Sequence, residues 1–456
     1  MSVRHGARPK NRLVRYAAVA ALAAAPLVTL ASIGQADQLA PPLGPCVGDC
    51  PNPFPVPVHN GPPAGTDDTI NVFVGGNYTV EGRAAEVEGK VVTVKDLTVD
   101  KNGGGLFNMG VVGVGSQVAP PPGTDHVTVG GAVDVVTGNR VQIGGGDPAR
   151  WGNLAYGTTE SGIIEFSGPG AARQDPAAID PFLGLTTVIK DDSTCMAEQT
   201  ATGTLSVEGN LYTFTGDGHS MRQIFNVDRN IGSDTAAADL VFAGIPAGAT
   251  VIVNMVGPDP VLIRTNTGSG FPGDQLTDMQ PLLMWNFPTA ADATVSGNAQ
   301  FQGSIMAGNA AGTVTLSNPG TNGRVYVAGN LVQTGTSGSE IHAYPFNGDL
   351  PTCGQSPSPS PSPSQSESTS PSPSPSASES ESPSPSPSES GGPEPSESVE
   401  PTHGERPEPG QSHRPGGGLA NTGSSLVAPL AGGAAVLLGL GAAAVTLARR
   451  NRGRRH

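Results

Sequence analysis

The chain has 456 residues, of which 64 are glycine and 44 proline, with aromatics at 4% and a formal net charge of −15. Ten of its 24 basic residues sit at the two ends, Arg4, Arg8, Lys10, Arg12 and Arg15 at the start and Arg449, Arg450, Arg452, Arg454 and Arg455 at the finish. Without those ends 39 acids face 14 bases, a surface that repels a phosphate backbone and excludes nucleic-acid binding.

Residues 1–36 read as a signal peptide. A basic segment to Arg15 precedes an apolar run from Tyr16 to Ile33, and Gly34-Gln35-Ala36 suits cleavage between Ala36 and Asp37. Export permits disulfides. Cys46 and Cys50 can close a small ring and leave Cys195 for Cys353, although four cysteines allow three connectivities. The CxxxC spacing has no second cysteine pair or histidine pair beside it, so no metal site and no cofactor is expected.

A proline-rich lead-in, 37–66, precedes the stretch able to bury a core, 67–353. There a phrase of apolar, any residue, glycine and then alternating apolar positions recurs. Its copies are VGGNYTV (Val74–Val80), VEGKVVTV (Val87–Val94), VGGAVDV (Val129–Val135), VEGNLYTF (Val207–Phe214), VSGNAQF (Val295–Phe301) and VAGNLVQT (Val327–Thr334). Glycine at a positive-φ corner followed by a half-buried strand fits a mainly β, right-handed β-solenoid whose coils stack. A β-sandwich is the competing fold. In DPFLGLTTVIKDD, Asp180 is placed to cap a helix that begins at Pro181. Its apolar face, Phe182, Leu185 and Ile189, packs on the β body.

Several long phrases in this stretch match a known family in order. NVFVGGNYTVEGRAAEVEGKV (Asn71–Val91), FNVDRNI (Phe225–Ile231), GIPAGATVIVNMVG (Gly244–Gly257), LLMWNFPTA (Leu282–Ala290), GSIMAGNAAGTVTL (Gly303–Leu316) and GRVYVAGNLVQTGTSGSEIHAYPFNGDLP (Gly323–Pro351) resemble the choice-of-anchor A domain of exported bacterial proteins. The resemblance covers about 67–351 and implies a β-solenoid with a flanking helix on a surface adhesin, without established catalytic residues. It departs at Gly308, where the family pattern has proline, and a looser corner is expected there.

Catalytic patterns are scarce. Ser116 in GVGSQ lacks the second glycine of a nucleophile elbow. His59, His126, His219 and His342 are isolated, with no HExxH. On an extended strand Glu340, His342 and Tyr344 share one face, and a packed cluster closing the last coil is the favoured reading of them. The run GGGDPARWG (Gly144–Gly152) lacks the Lys-Ser/Thr of a phosphate loop and reads as turns. Asp191-Asp192 and Asp217 lack the alternating carboxylates of a calcium loop. A polysaccharide lyase or hydrolase on a β-helix is the runner-up function, with Glu160, Glu165 and Asp228 as its candidates. An ice- or polymer-binding face ranks last, because the threonines look scattered along the chain.

Residues 354–418 form a Ser/Pro/Glu spacer whose nine glutamates face only Arg406 and Arg414. As polyproline II it reaches on the order of 200 Å. The end, 419–456, opens with LANTG, and Leu426–Ala448 is an uncharged span about 34 Å long as a helix. The arginines after it stay cytoplasmic. Leu419, Ala420, Asn421, Thr422 and Gly423 resemble the LAxTG signal of sortases in high-GC Gram-positive bacteria. A class E-type sortase is the implied partner, cleaving between Thr422 and Gly423 and joining Thr422 to peptidoglycan. The expected product is a non-catalytic adhesin on the outer surface of the wall, touching the membrane only transiently through 426–448. Host matrix, glycans and neighbouring cells are its candidate ligands.

Overall fold

A computed structural model describes residues 36–57 and 60–353. The signal segment before Ala36, His59, the Ser/Pro/Glu spacer, LANTG and the apolar span lie outside the described residues. Among the described residues no helix is long and apolar enough to cross a membrane.

Three long sheets, each made of parallel strands, form the sides of a coiled body. The first face has ten strands, the second eight and the third seven. One coil visits each in turn: Ile70–Val74, then Tyr78–Gly82, then Glu86–Glu88. Parallel pairing of this kind rules out the β-sandwich, whose sheets are antiparallel.

The stacking order is not the chain order. The N-terminal coils climb from Ile70–Val74 through Lys90–Thr93, Asp125–Val129 and Asn153–Tyr156 to Ala172–Gln174. The chain then crosses to the opposite end and restarts at Arg222–Val227. It returns through Thr250–Met255, Leu283–Phe287 and Ser304–Ala307 to Val325–Val327, which pairs with Ile70–Val74. The first and last coils therefore meet at a seam, where Val325 lies beside Val72, Leu331 beside Tyr78 and Ile341 beside Val87.

The crossing is made by helix α1 (Leu185–Ala197). Asp180 sits in a separate 3-10 turn, Asp180–Phe182, and makes no side-chain cap; α1 begins only after Gly184. The expected start at Pro181 is therefore corrected. Leu183 and Gly184, both in right-handed helical geometry, join the two segments, while Phe182, Leu185 and Ile189 still face the β body. A second helix that the sequence reading did not foresee, α2 (Gln275–Met279), is capped by Asp274, which accepts from Thr277 N at 3.2 Å.

The first face is covered on both sides, so Ile70–Val74 and Leu283–Phe287 are buried at every position. Its outer side is covered by α1, by Leu39 and Leu43 of the proline-rich lead-in, and by Phe346 and Leu350. An asparagine ladder seats the helix. Asn226, Asn254 and Asn286 are register neighbours. Asn286 Nδ2 donates to Ser193 O and Asn254 Nδ2 to Met196 O, both at 2.8 Å. These bonds fasten the last turns of α1 to neighbouring strands of the first face. The corner at Gly308 is tight rather than loose: a Cβ there would stand 2.8 Å from Ser193, so glycine is what lets α1 approach. Two disulfides, Cys46–Cys50 and Cys195–Cys353, tie the lead-in into a ring and α1 to the last strand, Asp349–Pro351.

One internal histidine makes the body pH-sensitive. His126 is fully buried, wedged between Gly110 and Gly152. Burial pushes its pKa down to about 4. Between the unfolded value near 6.5 and 4, the unfolded chain takes up a proton that the folded chain refuses, so stability falls with pH. Relative to His126→Leu, the wild type should lose roughly 3 kcal/mol by pH 4. Parallel denaturation profiles of the two proteins from pH 7 to 4 would refute this.

Candidate functional site

The second face is half-solvated. Its strands alternate, with Tyr78, Val80, Leu97 and Val99 buried and Thr79, Glu81, Thr98 and Asp100 turned outward. Across the stack the outward positions fall into ranks. Register neighbours in the central rank run Thr98, Thr79, Val332, Thr315 and Thr294, with Asp134 beyond Thr98 and Leu262 beyond Thr294. All five central residues are half-buried.

Adjacent strands lie about 4.8 Å apart, so the rank presents hydroxyl and methyl groups at that repeat. Val332 keeps the shape of threonine and omits only the hydroxyl. A parallel rank includes Glu81, Ser296 and Arg264. Ser317 and Thr334 extend the same ladder, donating from their backbone to Val295 O and Leu316 O at 2.9 Å. β-Branched side chains have stiff χ1 angles, so this array is ordered before anything touches it. Along its corner runs a trough of about 420 Å³ lined by Arg264, Ser296, Asn298, Ser317, Thr334 and Thr336.

The expectation of scattered threonines is thus overturned. Thr79 and Thr98 come from the ascending half, and Thr294 and Thr315 from the returning half. Only the seam places the two pairs in one rank.

The third face holds a buried polar cluster. Glu86 and Glu340 are register partners across the seam, and His342 follows on the same strand as Glu340. His342 Nε2 lies 3.2 Å from Glu340 Oε2, and His342 Nδ1 lies 2.6 Å from Asn322 Oδ1. Glu88 is held by three backbone donors, Ser116 N, Gln117 N and Ala343 N, each at 2.8 Å. Burial, then the charge of Glu340, pushes Glu86 up to about 7, and burial raises Glu88. Burial opposes charge on His342, but its bond to Glu340 and the surrounding carboxylates outweigh that and raise its pKa. Tyr344 does not join this group. Its hydroxyl donates to Gly115 O at 3.0 Å, and its ring stands edge-on to Phe54.

The remaining candidates are dispersed. Glu160 is exposed on the second face, Glu165 pairs with Arg140 at 3.6 Å on the third, and Asp228 lies beside Arg229 in the opposite half. No two of them share a sheet, so the carboxylate pair of a glycosidase is not assembled from them. Ser116 Oγ accepts from Val118 N at 3.0 Å inside a buried loop. Asp217 centres a turn. Bonds from Ser220, Gln223 and the backbone of His219 hold its carboxyl well below the usual range. Asp192 on α1 is pushed up to about 6 by burial and then by Asp191. In the glycine run, Asp147 caps a 3-10 turn at Pro148–Arg150.

A family model described as "Putative Ice-binding-like adhesive domain" matches residues 63–343. Among solved structures, the Shewanella frigidimarina ice-binding protein_1 DUF3494 domain is similar at 13% identity. That match covers 60% of this chain and 94% of the other, with a TM-score of 0.27. No curated protein matches.

Proposed function

The chain belongs to the ice-binding-like adhesive domain family, and on that footing we propose that it is a non-catalytic surface protein. It adheres to a regular, repeating surface, ice or a crystalline polysaccharide, through the second face. The carrying observation is the rank Thr98, Thr79, Val332, Thr315 and Thr294. An array of small groups at one repeat gains little from a single small molecule and much from a lattice that meets many of them at once. Retention of the purified chain on ice and on crystalline cellulose or chitin, against soluble oligosaccharides of the same sugars, tests this. Equal binding to soluble oligomers would contradict it.

The resemblance to choice-of-anchor A domains supports the same assignment to the cell exterior, over nearly the residues that the family model matches. We place attachment at LANTG, with the 354–418 spacer carrying the domain clear of the wall of a Gram-positive cell. Thr422→Ala should move at least nine-tenths of the protein from the muramidase-released fraction to membrane or medium (on the order of tenfold). An unchanged wall fraction would remove sortase from the account.

A further inference from the structure

We propose that Glu86, Glu340 and His342 hold a first-row divalent transition ion that pins the last coil to the first. Their donor atoms all lie within 4.8 Å of one another. Glu86 and His342 are buried and Glu340 is half-buried.

Three observations carry this. First, Glu86 and Glu340 are direct partners on adjacent parallel strands. Like charges in that position repel, and here they do so under cover. Second, the histidine is arranged as a ligand. Asn322 Oδ1 takes up His342 Nδ1–H at 2.6 Å and turns Nε2 toward the carboxylates. A metal-bound imidazole characteristically has its second nitrogen fixed in this way. Third, two buried carboxamides touching the set keep an unpaired polar atom. Asn108, next to Glu86 in register, donates from Nδ2 to Glu86 Oε2 at 3.3 Å and leaves Oδ1 without a partner. Asn322 leaves its Nδ2 unpaired. The oxygen of Asn108 is thus available as a fourth donor.

One imidazole with carboxylate and amide oxygens suits Zn²⁺ or Mn²⁺ better than Ca²⁺, which takes six to eight oxygens. Glu88 is not among the ligands, because three backbone N–H groups already hold it. Such an ion is structural. It offsets the repulsion at the seam and so fixes the junction on which the hydroxyl rank of the second face depends.

The full chain, stripped with chelator, should bind about one Zn²⁺ or Mn²⁺, counted by elemental analysis after dialysis. At saturation its thermal midpoint should rise by about 5 °C or more. Glu340→Gln and His342→Gln each remove a ligand and should weaken binding by at least about 100-fold, the upper end of what loss of an outer-shell partner costs. Glu340→Gln removes one of the facing charges, so in chelator it should melt no lower than wild type, and its response to Zn²⁺ should be lost. This holds the proposal to account even if His342→Gln fails to fold. It is overturned by wild type that keeps no ion, by a response to Ca²⁺ alone, or by Glu340→Gln that melts lower in chelator yet still responds to Zn²⁺. Adhesion is not the readout, so these results stand apart from the proposed function.

Discussion

The double variant Thr79→Tyr/Thr315→Tyr should lose adhesion to an ordered surface by at least tenfold and melt within about 2 °C of wild type. The two threonines flank Val332 on neighbouring strands, one from each half of the chain. A tyrosine in either place stands well above the plane of the rank. It lifts the opposing surface away from every other hydroxyl at once, so the loss exceeds that of two contacts. Stability is spared because both positions are half-exposed and their inward neighbours, Tyr78, Val80, Val314 and Leu316, stay as they are. Val332→Thr completes the hydroxyls of the rank and should leave binding equal or tighter. Retained adhesion in the double variant would move the contact surface off the second face.

Asp67→Ala should cost about 3–5 kcal/mol and lower the thermal midpoint by roughly 10 °C. Arg324 is fully buried, its Nη2 2.5 Å from Asp67 Oδ2 and 2.7 Å from Thr69 Oγ1, while its Nε donates to Gly44 O at 3.2 Å. The other oxygen of Asp67 accepts from Thr69 N and Val47 N, each at 3.0 Å. Removing the carboxylate leaves a cation without compensation in the interior and frees the lead-in at Val47. Replacing both partners, Asp67→Leu with Arg324→Met, should recover most of the loss, since the expense lies in the orphaned charge. An Asp67→Ala midpoint within 2 °C of wild type would show the pair to be dispensable.

The recurring glycine phrase made coils legible without saying which corner each copy turns. VGGNYTV and VAGNLVQT pass from the first face to the second, VEGKVVTV from the third to the first, and VSGNAQF from the second to the third. VEGNLYTF is no coil at all: it is a hairpin in which Thr204–Glu208 and Leu211–Thr215 pair antiparallel around Gly209. The reason for glycine also differs from one copy to another. Gly89 and Gly209 do adopt positive φ, but at Gly75 a Cβ would stand 2.2 Å from Ala328 O on the neighbouring coil. Close stacking requires glycine there. Lateral pairing of parallel strands has no local signature, so the seam, and with it the threonine rank, could not be read from spacing. The Glu340 and His342 alternation was visible, whereas Glu86, some 250 residues earlier, reaches them only across the seam. Arg324 gave no signal, because nothing near it in sequence announces that its partner is Asp67.

The Cys195–Cys353 bond has a mechanical consequence. Cys353 is the last described residue, and Cys195 lies on α1. Tension arriving from beyond Cys353 can follow two routes. One would unzip the short antiparallel pair Ala36–Gln38 and Asp349–Pro351 bond by bond. The covalent bond opens the other and hands the pull to α1, which lies across the strands of the returning half and is seated on them by the asparagine ladder. A tether fastened there is resisted by many coils in shear, and no terminal coil has to bear the strain alone.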